Sequence, residues 1–214
     1  MGRPTVILAD DHAVLREGLV RILESAFDIV GAVGDGRTLV TETERLRPDV
    51  VVLDVGMPLL NGIEAATQIR NNVPAARLVF LSQQSGKEYV QAAFRLGAWG
   101  YVLKNAAAAE LVSGIHEVLG GRRFLSAELR QRFGDPDPLS TGSAGEHLGN
   151  VLTPRQREVL QLVAEGKSAK EIAHLLKISV KTVEFHKASI MDELGLRTTA
   201  ELTRYALQQG ILAS

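Results

Sequence analysis

Asp10 with Asp11, Asp54, Ser82 and Lys104 are polar residues of types that do chemistry, and each follows directly on a short apolar run: Val6 to Ala9, Val50 to Leu53, Leu78 to Leu81 and Gly100 to Leu103. If those runs are neighbouring strands of a parallel sheet, the polar residues lie at the carboxyl ends, where an open sheet gathers groups that are far apart in sequence. Three carboxylates in one pocket repel each other unless a divalent cation holds them. With no cysteine in the chain, oxygen is the main ligand atom, and oxygen ligation suits Mg²⁺, which keeps waters and favours a phosphate as a further partner. A lysine and a hydroxyl beside such an ion match a phosphoryl group. Asp54 would then act as a carboxylate nucleophile, with Lys104 and the ion stabilising charge on the group in transfer. Taken singly, each residue has a plainer explanation. An Asp after a strand usually caps a helix or forms a turn, and an aromatic such as Tyr101 usually packs a sheet. His12 beside two acids reads as a solvated residue at a helix start and is left outside the site.

The elements that would position these groups are legible. A fifth apolar run, Ile29 to Val33, joins the other four, and segments near 12–26, 36–46, 62–72, 86–97 and 106–120 are long enough for helices. That alternation predicts a five-stranded, doubly wound parallel α/β sheet, with strands covered on both faces because their apolar character is continuous. From Gly134 to Gly145 the chain reads GDPDPLSTGSAG, which interrupts regular structure and offers little to bury. The expected division is residues 1–124 for the α/β domain, 125–149 for a linker and 150–214 for a second, all-α domain of four helices. Helix starts are marked at Thr153 with Pro154 and Gln156, Ser168 with Glu171, Ser179, and Thr198 with Glu201. Three of these have the spacing of a capping box, and Gly166 and Gly195 supply stops. Ala106 to Ala109 needs only helix propensity to explain it.

Composition narrows the function classes. No window approaches the roughly 18 apolar residues of a membrane span, and acids at Asp10 and Asp11 follow with no apolar leader before them, so a cytoplasmic protein without a membrane partner is expected. The net charge of −1 hides an asymmetry: residues 150–214 carry 9 Lys and Arg against 7 Asp and Glu, a surplus of +2. Such a surplus suits nucleic acid without requiring it. The pattern within that segment is more specific. A helix near 168–176, a short turn at Lys177 and Ile178, and a helix near 179–194 have helix-turn-helix spacing. In the second helix Val180, Val183, Ile190 and Leu194 form one expected buried stripe, leaving Lys181, Thr182, Glu184, Phe185 and Ala188 to face away. At about 1.5 Å per residue it is about 24 Å long, enough to lie in a major groove. His174 and His186 are read as structural.

The motifs ADDH at 9–12, LDVGMP at 53–58 with Gly62, LS at 81–82 and GYVLK at 100–104 closely resemble the receiver domain of two-component response regulators over residues 4 to 121. That resemblance implies Asp54 as phosphoacceptor, Asp11 and Asp54 as direct Mg²⁺ ligands, Asp10 as a ligand through water, and Gly56 as a carbonyl ligand. It also implies Ser82 as the hydroxyl partner of the phosphoryl group, Lys104 as its charge partner and Tyr101 as the aromatic that changes rotamer with Ser82. Gln83 stands where receivers often have a small residue, Gln84 and Gly56 where water access is tuned, and Asn105 where many have proline.

Residues 152–202 resemble the LuxR-type DNA-binding domain, and the whole order is similar to the NarL/FixJ family of transcription regulators. The implied base contacts are Glu184, Phe185 and Ala188, with Lys181, Thr182 and Lys187 near phosphates and Lys170 and Lys177 adding backbone contacts. Ala169 replaces an Asn frequent in the family, and the helix from about Thr198 to Gln208 resembles its dimerisation element. The implied partners are a sensor histidine kinase, promoter DNA and a second copy of the chain. The implied protein is no enzyme beyond its own phosphoryl transfer and dephosphorylation. Three other readings were weighed: a constitutive DNA-binding regulator, a Mg²⁺-dependent phosphatase, for which Gly56 stands where a second acid is needed, and a nucleotide loop at GAVGDG, which lacks the full glycine spacing.

Overall fold

A computed structural model describes residues 2–106, 108–135, 152–209 and 211–212. Strands β1 (Thr5–Ala9), β2 (Asp28–Val33), β3 (Val50–Asp54), β4 (Arg77–Ser82) and β5 (Gly100–Leu103) alternate with helices α1 (Ala13–Leu23), α2 (Gly36–Leu46), α3 (Gly62–Asn72), α4 (Lys87–Arg95) and α5 (Ala108–Leu119). All strand pairings are parallel. With a short sixth strand, β6 (Phe124–Leu125), the order β2-β1-β3-β4-β5-β6 reverses direction at β1, which places the crevice beyond the carboxyl ends of β1 and β3.

Alternate strand residues divide the core into two layers, as a pleated sheet requires. Ile7, Ala9, Val51, Leu53, Phe80 and Leu103 pack with residues of α2, α3 and α4. Val6, Leu8, Val50, Val52, Val79 and Leu81 pack with α1 and α5. The sheet is thus covered on both faces, which is why its strands read as unbroken apolar runs.

The expectation of five strands and a linker from residue 125 is corrected. A sixth strand, β6 (Phe124–Leu125), pairs with β5, and α6 (Ala127–Phe133) follows it. Leu125 and the fully buried Leu129 join the core, with Phe133 packed against it, so the α/β unit extends about ten residues beyond the expected boundary. Of the predicted linker 125–149, residues 136–149 lie outside the described residues.

The second domain contains α7 (Pro154–Ala164), α8 (Ala169–Leu176), α9 (Val180–Leu194) and α10 (Thr199–Gln208). All three capping boxes form: each Ser or Thr accepts from a backbone N–H, and each Gln or Glu three residues on answers the N-cap backbone. Gly195 ends α9 at φ +65°, a left-handed conformation that costs glycine little. Leu160, Leu162, Val183, Ile190 and Leu202 close the core of this domain. Contrary to the expected stripe, Val180 is exposed, because it opens the first turn of α9 rather than facing α8. α7 also lies against the α/β domain: Arg37 pairs with Glu158 at 3.3 Å and Arg157 pairs with Glu64.

Candidate functional site

Asp10, Asp54, Ser82 and Lys104 converge at the carboxyl ends of β1, β3, β4 and β5. The β-sheet pairing does this directly, because β1 and β5 flank the β3–β4 pair that carries Asp54 and Ser82. Lys104 Nζ lies 2.8 Å from Asp10 Oδ2 and 2.7 Å from Asp54 Oδ2. Its side chain is only 5% exposed, so the ammonium bridges two carboxylates away from bulk water. Burial opposes that charge, but the hydrogen bonds to Asp10 and Asp54 outweigh it and hold the lysine pKa above its ordinary value. Burial pushes the Asp54 carboxyl up, against the pull of Lys104, and the charge of Asp10 adds to the rise. A second cation near Asp54 would therefore favour the ionised, nucleophilic form.

The donor set fits such a cation. Ligand atoms of Asp10, Asp11, His12 and Asp54 lie within 4.8 Å of one another. Neither Asp10 Oδ2 nor Asp11 Oδ1 receives a well-directed hydrogen bond; the first meets the Lys104 ammonium at 2.8 Å and the second the His12 ring nitrogen Nδ1 at 2.8 Å. Asp10 Oδ2 thus already has one cation, and the cluster of carboxylates beside it has room in its charge balance for a second. Gly56 lies in the loop after β3, and its backbone N–H counters part of the rise in the Asp54 pKa.

His12 is exposed at the start of α1, as its sequence position suggested, and its ring also lies at this cluster. His12 is the N-cap of α1, its backbone N–H bonding Asp10 Oδ1 at 2.9 Å. Arg16 was also missed: its guanidinium donates to the Asp10 carbonyl, one turn along α1, a spacing that a helical reading of residues 12–26 contains. Ser82 is buried, and its hydroxyl accepts the Gln84 N–H at 3.0 Å. Tyr101 points inward with no exposed surface, donating its hydroxyl to the Gln84 carbonyl at 2.8 Å. Burial raises its phenol pKa to about 12. Ser82 and Tyr101 thus hold the N–H and the carbonyl of the same residue, Gln84.

Most of the residues expected to meet nucleic acid lie on α9. Lys181, Glu184, Phe185 and Ala188 are exposed, with Thr182 and Lys187 half-buried. Phe185 is 68% exposed, and a large apolar ring left in water at that level asks for a partner surface. Ser179 caps the helix by accepting from the Thr182 N–H at 3.0 Å. Lys177 makes the turn in a left-handed conformation at φ +52°, and both it and Lys170 are exposed. His174 is exposed rather than part of the packing.

Comparison with known proteins agrees with both halves. Residues 6–116 match the response regulator receiver domain family, and residues 150–206 match the bacterial regulatory proteins of the luxR family. The transcriptional regulatory protein MctR of Rhizobium johnstonii is 38% identical over 210 residues, covering 97% of this chain and 95% of that protein. The oxygen regulatory protein NreC of Staphylococcus aureus is 35% identical over 214 residues, covering 97% and 98%. Among solved structures, the RcsB response regulator of Salmonella typhimurium aligns at 28% identity with a TM-score of 0.62 over 98% of this chain and 99% of that one. An RcsB–DNA complex aligns at 28% identity and a TM-score of 0.57 over 95% and 98%.

Proposed function

Because the chain belongs to the two-component response regulators with a LuxR-type DNA-binding domain, we propose that Asp54 is its phosphoacceptor and that phosphorylation there governs dimerisation and promoter binding. The donor is a sensor histidine kinase or a small phosphorylated molecule. One observation carries this reading: Lys104 Nζ lies 2.8 Å from Asp10 and 2.7 Å from Asp54 at the crevice. That geometry sets a fixed positive charge beside a buried carboxylate nucleophile.

Asp11 and Asp54 would hold Mg²⁺ directly, Asp10 through a water and Gly56 through its carbonyl, and the ion would supply charge neutralisation on the transferred group. The Asp54 carboxylate attacks phosphorus and the donor's leaving group departs with the bonding pair. Lys104 stays at Asp54 and pairs with a phosphoryl oxygen. Ser82 gives up its bond to the Gln84 N–H and donates to another. Charge of about −1.5 to −2, by analogy with phosphoserine, then sits where a single carboxylate stood. The reaction goes no further than the chain's own phosphoryl transfer and hydrolysis. On this reading residues 1–133 form the receiver, with β6 and α6 added to the expected 1–124, and 150–214 form the DNA-binding domain. A cytoplasmic location goes with it; no described helix is long and apolar enough to cross a membrane.

The test is capture of genomic fragments by the purified chain, with and without Mg²⁺ and a small acyl phosphate, beside Asp54→Ala. Capture of particular fragments that rises with the donor in the wild type alone is expected. A second reading, a constitutive regulator, is favoured by one observation: Lys181, Glu184, Phe185 and Ala188 are open to solvent while α7 is docked on the receiver. Equal specific capture in every lane would select it.

A further inference from the structure

Gln161 is a fully buried amide on a helix of the DNA-binding domain, and its partners belong mostly to the other domain. Its Oε1 accepts the Asn61 N–H at 2.8 Å and lies 3.3 Å from Asn61 Nδ2, while its Nε2 donates to the Met57 carbonyl at 2.9 Å and to Glu165 Oε1 at 2.8 Å. An amide side chain offers two donors and two acceptor positions, and here every one is used. Glu165, one turn on, accepts the Leu59 N–H at 2.9 Å. The backbone from Met57 to Asn61 is therefore bracketed at both ends and held in the middle by α7.

That backbone is the loop leading away from Asp54. Gly56, two residues after Asp54, immediately precedes Met57. Asn61, the far end of the bracket, caps α3 by accepting the Glu64 N–H at 3.0 Å. Leu59 sits at φ +64°, a strained conformation for a branched side chain that surrounding contacts must enforce, and it packs against the core of the DNA-binding domain. The receiver presses from the opposite side. A Cβ at Gly36 would fall 1.9 Å from the Leu60 carbonyl oxygen, and one at Gly62 would fall 2.0 Å from that of Asp54.

We propose that Gln161, seconded by Glu165, is a positioning residue for phosphoryl transfer: from the DNA-binding domain it fixes the Met57–Asn61 backbone and thereby the placement of Gly56 and Asp54. The proposal rests on the assignment of Asp54 as phosphoacceptor. Groups that orient ligands and reacting atoms from behind typically change metal affinity or rate by about 10–100-fold when removed, and a loop displaced by a fraction of an ångström acts through the same geometry.

The test uses the full-length chain. Mg²⁺ affinity is read by calorimetry, and phosphoryl uptake from an acyl phosphate by electrophoretic shift. Gln161→Leu is expected to weaken Mg²⁺ binding by about tenfold and slow uptake by a similar factor, and Glu165→Ala to do the same by a smaller factor. Gln68→Leu removes a different interdomain bond, that of its amide to Glu158 Oε1 at 2.9 Å, without touching the loop, and should match the wild type in both measurements. Wild-type values in Gln161→Leu would overturn the proposal. Equal losses in Gln68→Leu would also overturn it, since they would assign the effect to domain docking in general. If Gln161→Leu does not fold, Glu165→Ala decides by the same criterion. A wild-type chain that takes up no phosphoryl group, or takes it up equally as Asp54→Ala, defeats the assignment of Asp54 instead.

Discussion

Lys104 and Lys181 carry the same charge in opposite settings. Lys104 is 5% exposed and lies within 2.8 Å of two carboxylates; Lys181 is exposed at the start of α9 and forms no ion pair with another described residue. The pocket has already committed its lysine to partners, so any further anion enters an existing balance. The α9 face holds its charge in reserve for a ligand that brings the counter-charge. Buried charge makes geometry strict and pairing obligatory, whereas exposed charge is screened by salt and contributes chiefly to approach and positioning on a polyanion.

The sharpest way to break this contrast is Lys104→Met. Removing a preorganised cation should lower the rate of phosphoryl uptake by about 100-fold or more, measured with an acyl phosphate donor; a loss of less than about threefold would move Lys104 to a purely structural role. Next, Ile190→Ala on the buried side of α9 should cost about 2–5 kcal/mol of stability in denaturant unfolding, while Phe185→Ala on the open side should cost less than about 0.5 kcal/mol yet weaken DNA binding. Similar stability losses for the two would erase the distinction between the faces. Glu184→Ala should reduce discrimination at one base pair by about 1–3 kcal/mol, with non-specific affinity little changed. Lys181→Ala should lower the salt slope of binding by about one unit, and an unchanged slope would remove it from the phosphate contacts.

The smallest effect is a pH dependence at Tyr101. Its phenol is raised to about 12 by burial, so the folded state holds the proton more tightly than the unfolded chain, whose tyrosines titrate near about 10. The associated stability is complete below the unfolded value and is lost as pH rises from there toward the folded value. Tyr101→Phe should show a shallower decline of stability across that alkaline window, read by thermal unfolding. An identical decline in both proteins would contradict the assignment.

Much of this architecture is legible in the residues, for reasons particular to each element. Strands such as Val50–Asp54 are buried on both faces, so apolar continuity marks them, and Ser168 with Glu171 announces a helix because the two satisfy each other's backbone donors. The Asp10, Asp54 and Lys104 cluster is legible because parallel strands deliver their ends to one place. β6 escaped notice because two residues are too few to show a period, and α6 because its buried Leu129 lies close to a Pro- and Gly-rich segment. Val180 was misplaced because a helical stripe does not tell the first turn, which has no neighbour on one side, from the middle. His12 and Gln161 needed the tertiary structure. A histidine beside two acids does not tell from its position that its ring meets them, and a glutamine on an amphipathic helix looks solvated until the partner that covers it is known.

Leu59 bears on how such proteins can be recombined. Its side chain is lodged in the core of the domain that follows, and the N–H and C=O groups around it are satisfied by α7. A receiver grafted onto an unrelated output module would arrive with a bare leucine at a left-handed bend and unsatisfied amides in the loop after Asp54. Exchange between regulators is then cleanest when the α7 surface travels with the receiver, so the inheritable unit is wider than the boundary at the linker suggests.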